Sequence, residues 1–274
     1  MSSLSKSRKA LAVVASAILA LSIVLVGCTS SPSDAPAETK YKLVKNGVLT
    51  VASDCDYPPF IFLEGDRPNG FEYELMQAVA GKLGLELEYT EPQNFDTILS
   101  QVAAGTKADI GVSSFTITEE RKQLVDFCKP YCDSNQAVVV RSNSEYTDYS
   151  ELAGLAVSAQ SGTTGADWAA EFIPGVSVKN FNATTDAVIA LRTGDVEAAI
   201  YDAPIAAYHV TTTYTDCKIL VVVPTAEQYG IAVSKSNPEL RDAVNQALVD
   251  LKADGTFDSL FYKYFPDLTA PVIK

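Results

Sequence analysis

Four short polar segments of this chain carry residue types that could bind a small charged molecule. They span residues 54–60, 113–121, 160–164 and 201–204, and each follows a short apolar run. Open α/β sheets bind ligands beyond the carboxyl ends of their strands, so segments in this position are the first candidates for a site. The first segment places carboxylates and an aromatic ring at a strand end. A proline-rich turn with solvated acids is its alternative interpretation.

The second and third segments favour a bound carboxylate. Two serines precede a helix start in the second segment, and Arg121 follows one short turn later. A planar guanidinium with neighbouring hydroxyls and free backbone amides is a good receptor for a carboxylate. The sequence QSGTT of the third segment leads into a helix N-terminus, whose unpaired N–H groups suit an anion. The alternatives are a surface salt bridge for Arg121 and a plain capping turn for QSGTT.

The fourth segment contributes an acid. Asp202 lies at a strand end before a helix, where it could hold an ammonium group or simply cap the helix, the commoner role. Taken together, the four segments provide an arginine and a helix N-terminus for a carboxylate and an aspartate for an ammonium group. This is the charge arrangement that would bind a free α-amino acid.

The composition excludes several classes of function. The chain has 274 residues, with 21 Lys+Arg against 34 Asp+Glu and a net charge of -13, which argues against binding to nucleic acid. A hydrophobic fraction of 47% and a charged fraction of 20% indicate a globular protein. One histidine and one tryptophan leave little room for a histidine-based metal site or triad. We therefore expect no metal and no cofactor.

The N-terminus is predicted to lie outside the fold. A basic stretch at residues 6–9 precedes an apolar run over residues 10–26, which is typical of a secretory signal peptide. The sequence Leu25-Val26-Gly27-Cys28 resembles the lipobox of bacterial lipoproteins, which implies removal of residues 1–27 and lipidation of Cys28. Residues 28–40, which are mostly small polar residues and prolines, are predicted to form a flexible tether. No second hydrophobic stretch reaches membrane length, so the lipid would be the only anchor.

The remaining chain alternates short apolar runs with helical periods, which predicts an α/β fold with mainly parallel sheets. Extended segments near 128–137 and 224–230 suit two crossings between two lobes. The predicted strands span 48–52, 85–90, 109–112, 155–159, 176–181, 196–200, 219–223 and 228–233, and the predicted helices include 72–83, 95–104, 184–193 and 238–253, with others starting at 118, after 160–164, at 204 and near 258.

From about residue 43 to residue 265 the chain resembles bacterial extracellular solute-binding proteins of the polar amino-acid family, the receptors of ABC importers. The resemblance rests on DCDYPPF, GFEYEL, FDTILSQVAAGTKADIG, SFTITEERKQLVDF, QSGTT and the C-terminal helical stretch, all in order. It implies two α/β lobes, each a mainly parallel sheet flanked by helices, joined by a two-strand hinge and closing over one ligand. Lobe 1 is predicted to contain residues 41–132 and 230–274, and lobe 2 residues 133–229.

The resemblance also implies roles for matching residues. Arg121 would clamp the ligand α-carboxylate with Ser114, Thr116 and Thr164, Asp202 would bind the ammonium group, Tyr57 and Phe95 would line the side-chain pocket, and Asp54 would meet a polar or basic ligand side chain.

The implied function is an extracytoplasmic, lipid-anchored and monomeric receptor. It would capture a free polar or basic L-amino acid and deliver it to an ABC permease, without catalysis. One alternative is a ligand sensor for a separate signalling partner. Another is an enzyme resembling cyclohexadienyl dehydratase, which would need a general acid with a raised pKa, such as Asp54 or Asp202.

Four cysteines follow Cys28, namely Cys55, Cys128, Cys132 and Cys217. In an exported protein they could form two disulfides in any of three pairings. The alternative is four free, buried thiols. A cysteine at position 55, beside the first segment, could also influence the choice of ligand.

Overall fold

The computed structural model of the protein describes residues 41–273. The predicted signal peptide, the tether and Cys28 lie outside the described residues. Over the described part of the chain, no helix combines the length and the apolar character needed to cross a membrane.

Strands and helices alternate along most of the chain, as predicted. The strands are β1 (Val48–Ala52), β2 (Asp56–Tyr57), β3 (Ile61–Glu64), β4 (Arg67–Asn69), β5 (Glu86–Tyr89), β6 (Ile110–Gly111), β7 (Asp126–Phe127), β8 (Cys132–Arg141), β9 (Ala156–Gln160), β10 (Ser177–Phe181), β11 (Ala198–Asp202), β12 (Cys217–Tyr229) and β13 (Ala232–Val233). The helices are α1 (Phe71–Leu83), α2 (Phe95–Ala104), α3 (Arg121–Leu124), α4 (Thr164–Phe172), α5 (Thr184–Thr193), α6 (Ala203–Tyr208), α7 (Pro238–Ala253) and α8 (Thr256–Tyr264), with a 3-10 turn at Tyr149–Leu152 and a π-helical turn at His209–Thr213.

The strands of residues 41–273 form two larger sheets and one small one. The first sheet has the order β5-β1-β6-β13-β7, and the second has the order β10-β9-β11-β8-β12. In each, the first three strands are parallel and the fourth is antiparallel to both of its neighbours, so four of the five strands run the same way. This confirms the predicted two-lobe α/β fold. We call the parts around the first and second sheets lobe 1 and lobe 2.

Two strands run between the lobes. The start of β8 pairs antiparallel with the end of β12, with Cys132 opposite Tyr229 and Ser134 opposite Glu227. The two extended segments that the sequence assigned to crossings therefore lie side by side. The lobe boundaries at residues 132/133 and 229/230 remain a prediction.

One strand is longer than predicted. The sequence favours two strands, 219–223 and 228–233, whereas β12 continues from Cys217 to Tyr229 with two irregularities in its register. The chain passes through Pro224 without ending the strand because β12 lies at the edge of its sheet, where a missing N–H donor is tolerated.

The small sheet β2-β3-β4 was not predicted. Its strands have two to four residues and follow a proline-rich turn, so they show none of the sustained alternation by which a strand is recognised. Gly70 joins this sheet to α1. A Cβ at this position would lie 2.4 Å from the Phe60 carbonyl oxygen, so only glycine allows the close approach.

Helices cover both faces of each large sheet. On lobe 1, Ile98, Leu99 and Val102 of α2 are buried against one face, while α1, α7 and α8 pack on the other. On lobe 2, α4 covers one face and α5 and α6 the other. Most of the helices therefore bury their apolar residues on a sheet, and the loops at the strand ends are left to face the other lobe.

Candidate functional site

The candidate site is a small cavity between the two lobes. Its walls contain every residue that the sequence assigned to ligand contact, together with Ser113, Gln160 and Thr163. The predicted residues in the walls are Asp54, Tyr57, Phe95, Ser114, Thr116, Arg121, Thr164 and Asp202.

The strand order explains why residues distant in sequence meet here. Asp54 follows β1 and Ser114 follows β6, and these strands are parallel neighbours, so their carboxyl ends share one edge of the first sheet. Gln160 ends β9 and Asp202 ends β11, which are parallel neighbours in the second sheet. The cavity lies where these two edges face each other, the usual position for a ligand in open α/β sheets.

Arg121 spans the gap between the lobes. Its Nη1 donates to the Thr116 carbonyl at 2.8 Å and its Nη2 donates to the Gly162 carbonyl of lobe 2 at 2.9 Å. The guanidinium lies 5.4 Å from the centre of the Phe95 ring, a distance typical of a cation–π contact. Burial lowers the pKa of Arg121 from its usual value. Within residues 41–273 Arg121 has no carboxylate partner within 4 Å, which removes the surface salt bridge as an interpretation.

Gly162 permits this contact. Its φ of +75° lies in the left-handed region, and a Cβ would lie 2.9 Å from the Cβ of Asp96 in lobe 1. Any other residue would therefore be strained in its backbone and would push the lobes apart at this point.

Ser114 is held by a buried acid that the sequence did not single out. Its φ of 50° is unusual for a residue with a side chain. Its N–H and its hydroxyl both donate to Oε1 of Glu72 at 2.8 Å, and the Tyr131 hydroxyl donates to the same oxygen. Glu72 is completely buried, which raises the pKa of its carboxyl to about 7. Ser114 thus donates its hydroxyl proton away from the cavity.

Asp202 is a buried acid surrounded by neutral donors. The hydroxyls of Tyr57 and Tyr229 donate to Oδ2 at 2.8 and 2.6 Å, and Gln136 Nε2 donates to Oδ1 at 2.5 Å. Burial, followed by the nearby charge of Glu227, raises the pKa of Asp202 to about 6. Asp202 occupies the N-cap position of α6, but its side chain makes no capping bond. The commoner role of a helix cap is thereby excluded.

Asp54 also joins the two lobes. It accepts from Gln160 Nε2 of lobe 2 at 2.9 Å and from the Ser113 hydroxyl of lobe 1. Burial raises the pKa of Asp54 above its usual value. Among the described residues Asp54 has no cationic partner within 4 Å, so its charge is satisfied by neutral donors alone.

Sequence reasoning missed four further residues of this network. Gln160 lies inside QSGTT, and Gln136 and Glu227 lie inside the two predicted crossings, so each stood in a segment already marked for attention. Glu72 lies in GFEYEL and is an acid on the buried side of α1. A charged residue at a position that the helical period buries was the available signal.

The four cysteines of the described region are free and buried. Of the two alternatives that the sequence left open, the structure has the free thiols and neither disulfide. Cys55 packs in the hydrophobic core and is not among the residues that line the cavity. Burial raises the pKa of the Cys55 thiol to about 12, which leaves it an unreactive packing residue.

Comparison with known proteins agrees with this geometry. Residues 49–267 match the family model of the bacterial extracellular solute-binding proteins, family 3. The L-cystine-binding protein TcyJ of Escherichia coli (strain K12) is 29% identical over 248 residues, which cover 89% of this chain and 92% of TcyJ.

Solved structures show the same architecture. An ancestral arginine-binding protein bound to arginine is 37% identical, with a TM-score of 0.74 over 80% of this chain and 98% of that one. The ancestral amino-acid-binding protein AncCDT-1, a precursor of cyclohexadienyl dehydratase, is 35% identical, with a TM-score of 0.73 over 80% of this chain and 96% of that one. The family model spans well over half of the sequence, and the chain belongs to the bacterial extracellular solute-binding proteins of family 3.

Proposed function

We propose that this protein is an extracytoplasmic receptor that captures a free polar or basic L-amino acid between its closing lobes and delivers it to an ABC permease. The observation that carries the proposal is the placement of Arg121, Asp202 and Asp54 in the walls of one cavity. None of the three has an oppositely charged partner within 4 Å among residues 41–273. A zwitterionic ligand would supply the missing charges.

In this proposal the ligand carboxylate lies against Arg121 and the N-terminus of α4. The helix dipole and the free N–H groups of its first turn add to the guanidinium. Asp202 takes the ammonium group. A carboxylate has about four acceptor positions, and three donors reach Asp202, so room for a further hydrogen bond remains. Tyr57 and Phe95 would line the path of the ligand side chain.

Charge balance favours a basic ligand. The cavity walls hold one cation, Arg121, and two anions, Asp54 and Asp202. A basic amino acid carries one carboxylate and two cationic groups, so the sum becomes neutral when it binds. A neutral amino acid would leave Asp54 with only Ser113 and Gln160 as partners. Arginine binding by the ancestral protein is in line with this choice. Cystine, the ligand in the name of TcyJ, is the neutral competitor.

No catalytic step is proposed. The family to which the chain belongs is defined by solute binding, and the relative connected with a dehydratase is itself described as an amino-acid-binding protein. The raised pKa values of Asp54 and Asp202 are features that an acid catalyst would share.

A thermal-shift screen of residues 29–274, which include all of the described residues 41–273, would test the proposal. The ligands would be the standard amino acids, cystine and prephenate. A ligand present at a hundred times its dissociation constant should add about 2.7 kcal/mol of stability. We expect the largest shifts with basic amino acids and no shift in the Arg121→Ala variant. Turnover of prephenate, or no shift with any amino acid, would contradict the proposal.

We also propose that the receptor is a monomer held to the membrane by a lipid on Cys28. The motif Leu25-Val26-Gly27-Cys28 and the tether that follows support the lipid anchor. Metabolic labelling with a palmitate analogue should mark the wild type and leave a Cys28→Ser variant unlabelled. Labelling of both proteins would remove Cys28 as the lipid site.

A further inference from the structure

Glu227 is an acidic residue of β12 that joins three parts of the molecule at the cavity. Its Oε2 accepts from the hydroxyl of Thr116 in lobe 1 at 2.7 Å and from the hydroxyl of Thr164 in lobe 2 at 2.8 Å. Gln136 Nε2, from the strand paired with β12, donates to its Oε1 at 3.0 Å. One carboxylate therefore receives donors from both lobes and from the neighbouring hinge strand.

We propose that Glu227 is a positioning residue that clamps the lobes in the closed arrangement and so controls how fast the ligand leaves. An open cleft would separate Thr116 from Thr164, because the two hydroxyls belong to different lobes. Their oxygens lie 3.4 Å apart in the structure, and Glu227 accepts from both. Closure therefore creates two charge-assisted hydrogen bonds that the separated lobes cannot make together.

Glu227 does not stand in the place of a ligand carboxylate. It is absent from the described residues that line the cavity, whereas Thr116 and Thr164 are among them. The two hydroxyls thus lie between Glu227 and the cavity. A ligand carboxylate would bind on the cavity side, to Arg121 and backbone N–H groups, and would leave the clamp intact.

The clamp also sets the position of Gln136, which links Glu227 to Asp202. Gln136 Nε2 lies 2.5 Å from Asp202 Oδ1, so one amide group donates to both acids. The amide oxygen of Gln136 lies 2.7 Å from the position that a Cβ on residue 165 would take, so Gly165 leaves the space that this side chain occupies. Glu227 therefore helps to hold the donor that faces the proposed ammonium-binding acid.

Stopped-flow binding kinetics would test the clamp on residues 29–274. The single tryptophan, Trp168, lies on α4 four residues after Thr164 and provides the signal. With arginine as the probe, we expect Glu227→Gln to raise koff at least about tenfold, because charge-assisted hydrogen bonds are lost. We expect kon to change less than about twofold, since encounter precedes closure.

Two further variants make the result specific. Thr116→Val removes the lobe 1 donor, and the double variant Thr116→Val/Glu227→Gln should release arginine no faster than Glu227→Gln alone. Gln228→Ala is the matched control on the same strand, because Gln228 is exposed and donates only to Asp133. It should leave both rate constants unchanged.

Unchanged koff in a folded Glu227→Gln variant would overturn the clamp. Tighter arginine binding in that variant would also overturn it, by showing that Glu227 competes with the ligand.

The kinetic readout rests on the proposed function, but the clamp can be tested without a ligand. Small-angle X-ray scattering should give a larger radius of gyration for Glu227→Gln than for the wild type, because more molecules are open. Equal radii would contradict the clamp whether or not arginine binds. Failure of the wild type to bind any amino acid would instead contradict the proposed function.

Discussion

The charged residues of the cavity and those of the surface are satisfied in opposite ways. On the surface, Arg241 pairs with Asp126 at 2.9 Å and with Asp242 at 2.8 Å, and Arg192 pairs with Asp216 at 2.9 Å. In the cavity, Arg121 donates to two backbone carbonyls, and Asp202 accepts from two tyrosines and a glutamine. The buried charges are the ones without opposite charges of their own.

This difference indicates that the buried charges of the cavity reduce the stability of the fold and serve ligand binding instead. A buried charge without an opposite charge is costly, whereas an exposed ion pair contributes little to stability. Neutral donors and carbonyls hold the cavity charges in position without cancelling them. The cavity therefore keeps an electrostatic field that a zwitterionic ligand can neutralise. The variants below change the charges that produce this field.

Arg121→Ala should have the largest effect on binding. The variant removes the only cation in the cavity walls of the described residues, so we expect the affinity for arginine to fall more than about 100-fold. Isothermal titration calorimetry would measure the loss. Arg241→Ala is the surface counterpart and should bind as the wild type does. Similar losses in the two variants would mean that the cavity charge has no special role.

Asp202→Asn should have the next largest effect and should also change the pH dependence. Because the pKa of Asp202 is raised to about 6, protonation competes with the ligand ammonium below that pH. Wild-type affinity should be about tenfold weaker at pH 5 than at pH 7. Asp202→Asn should lose about 10- to 100-fold in affinity at pH 7.

The pH profile needs a control because other ionisable side chains lie near Asp202. Glu227 and the hydroxyls of Tyr57 and Tyr229 face Asp202, and Glu72, with a pKa of about 7, lies behind Ser114. Glu72→Gln should keep the loss of affinity at pH 5, whereas Asp202→Asn should abolish it. The opposite pattern would assign the pH dependence to Glu72.

Asp54→Asn should change selectivity more than affinity. The side chain keeps its shape but loses the charge that would balance a cationic ligand side chain, so arginine should bind about tenfold more weakly. The affinity of the variant for glutamine should be within about twofold of the wild-type affinity, because the glutamine side chain places no charge beside residue 54. Titrations with both ligands would give the ratio. Asp66→Asn, an exposed acid of the same lobe, should leave the ratio unchanged.

Arg192→Ala should have the smallest effect. Arg192 and Asp216 are both exposed, so the pair should contribute less than about 1 kcal/mol to the free energy of unfolding. Urea denaturation and arginine titration would measure stability and binding separately. A loss of more than about 2 kcal/mol would show that surface and cavity charges differ less than the structure indicates.

Much of this fold could be predicted because local signals agree with the tertiary structure. Strand Val48–Ala52 and helices Phe95–Ala104, Thr184–Thr193 and Pro238–Ala253 begin and end at the predicted residues. Apolar periodicity marks these elements, and Gly105 and Gly194 end two of the helices in the left-handed conformation. The predicted family and two-lobe fold are confirmed.

Predictions failed where a contact depends on residues far apart in the chain. The strand β12 passes through Pro224 because it lies at a sheet edge, a property that no local sequence carries. The hydrogen bond from Ser114 to Glu72 joins positions that are 42 residues apart in the chain. The four thiols are free and buried, although their number suited two disulfides.

The sequence by itself determined the types of charge that the cavity would hold and the strand ends that would carry them. Residue type and apolar periodicity can be read from short segments of the sequence. Arg121, Asp202 and Asp54 could therefore be named as candidate site residues from their positions after predicted strands. Only the tertiary structure decided which partners these charges meet. Tyr57 reaches Asp202, and Glu227 joins Thr116 to Thr164, because the two lobes bring remote side chains within hydrogen-bonding distance. Such distances follow from the packing of whole sheets and helices, which no short stretch of sequence contains.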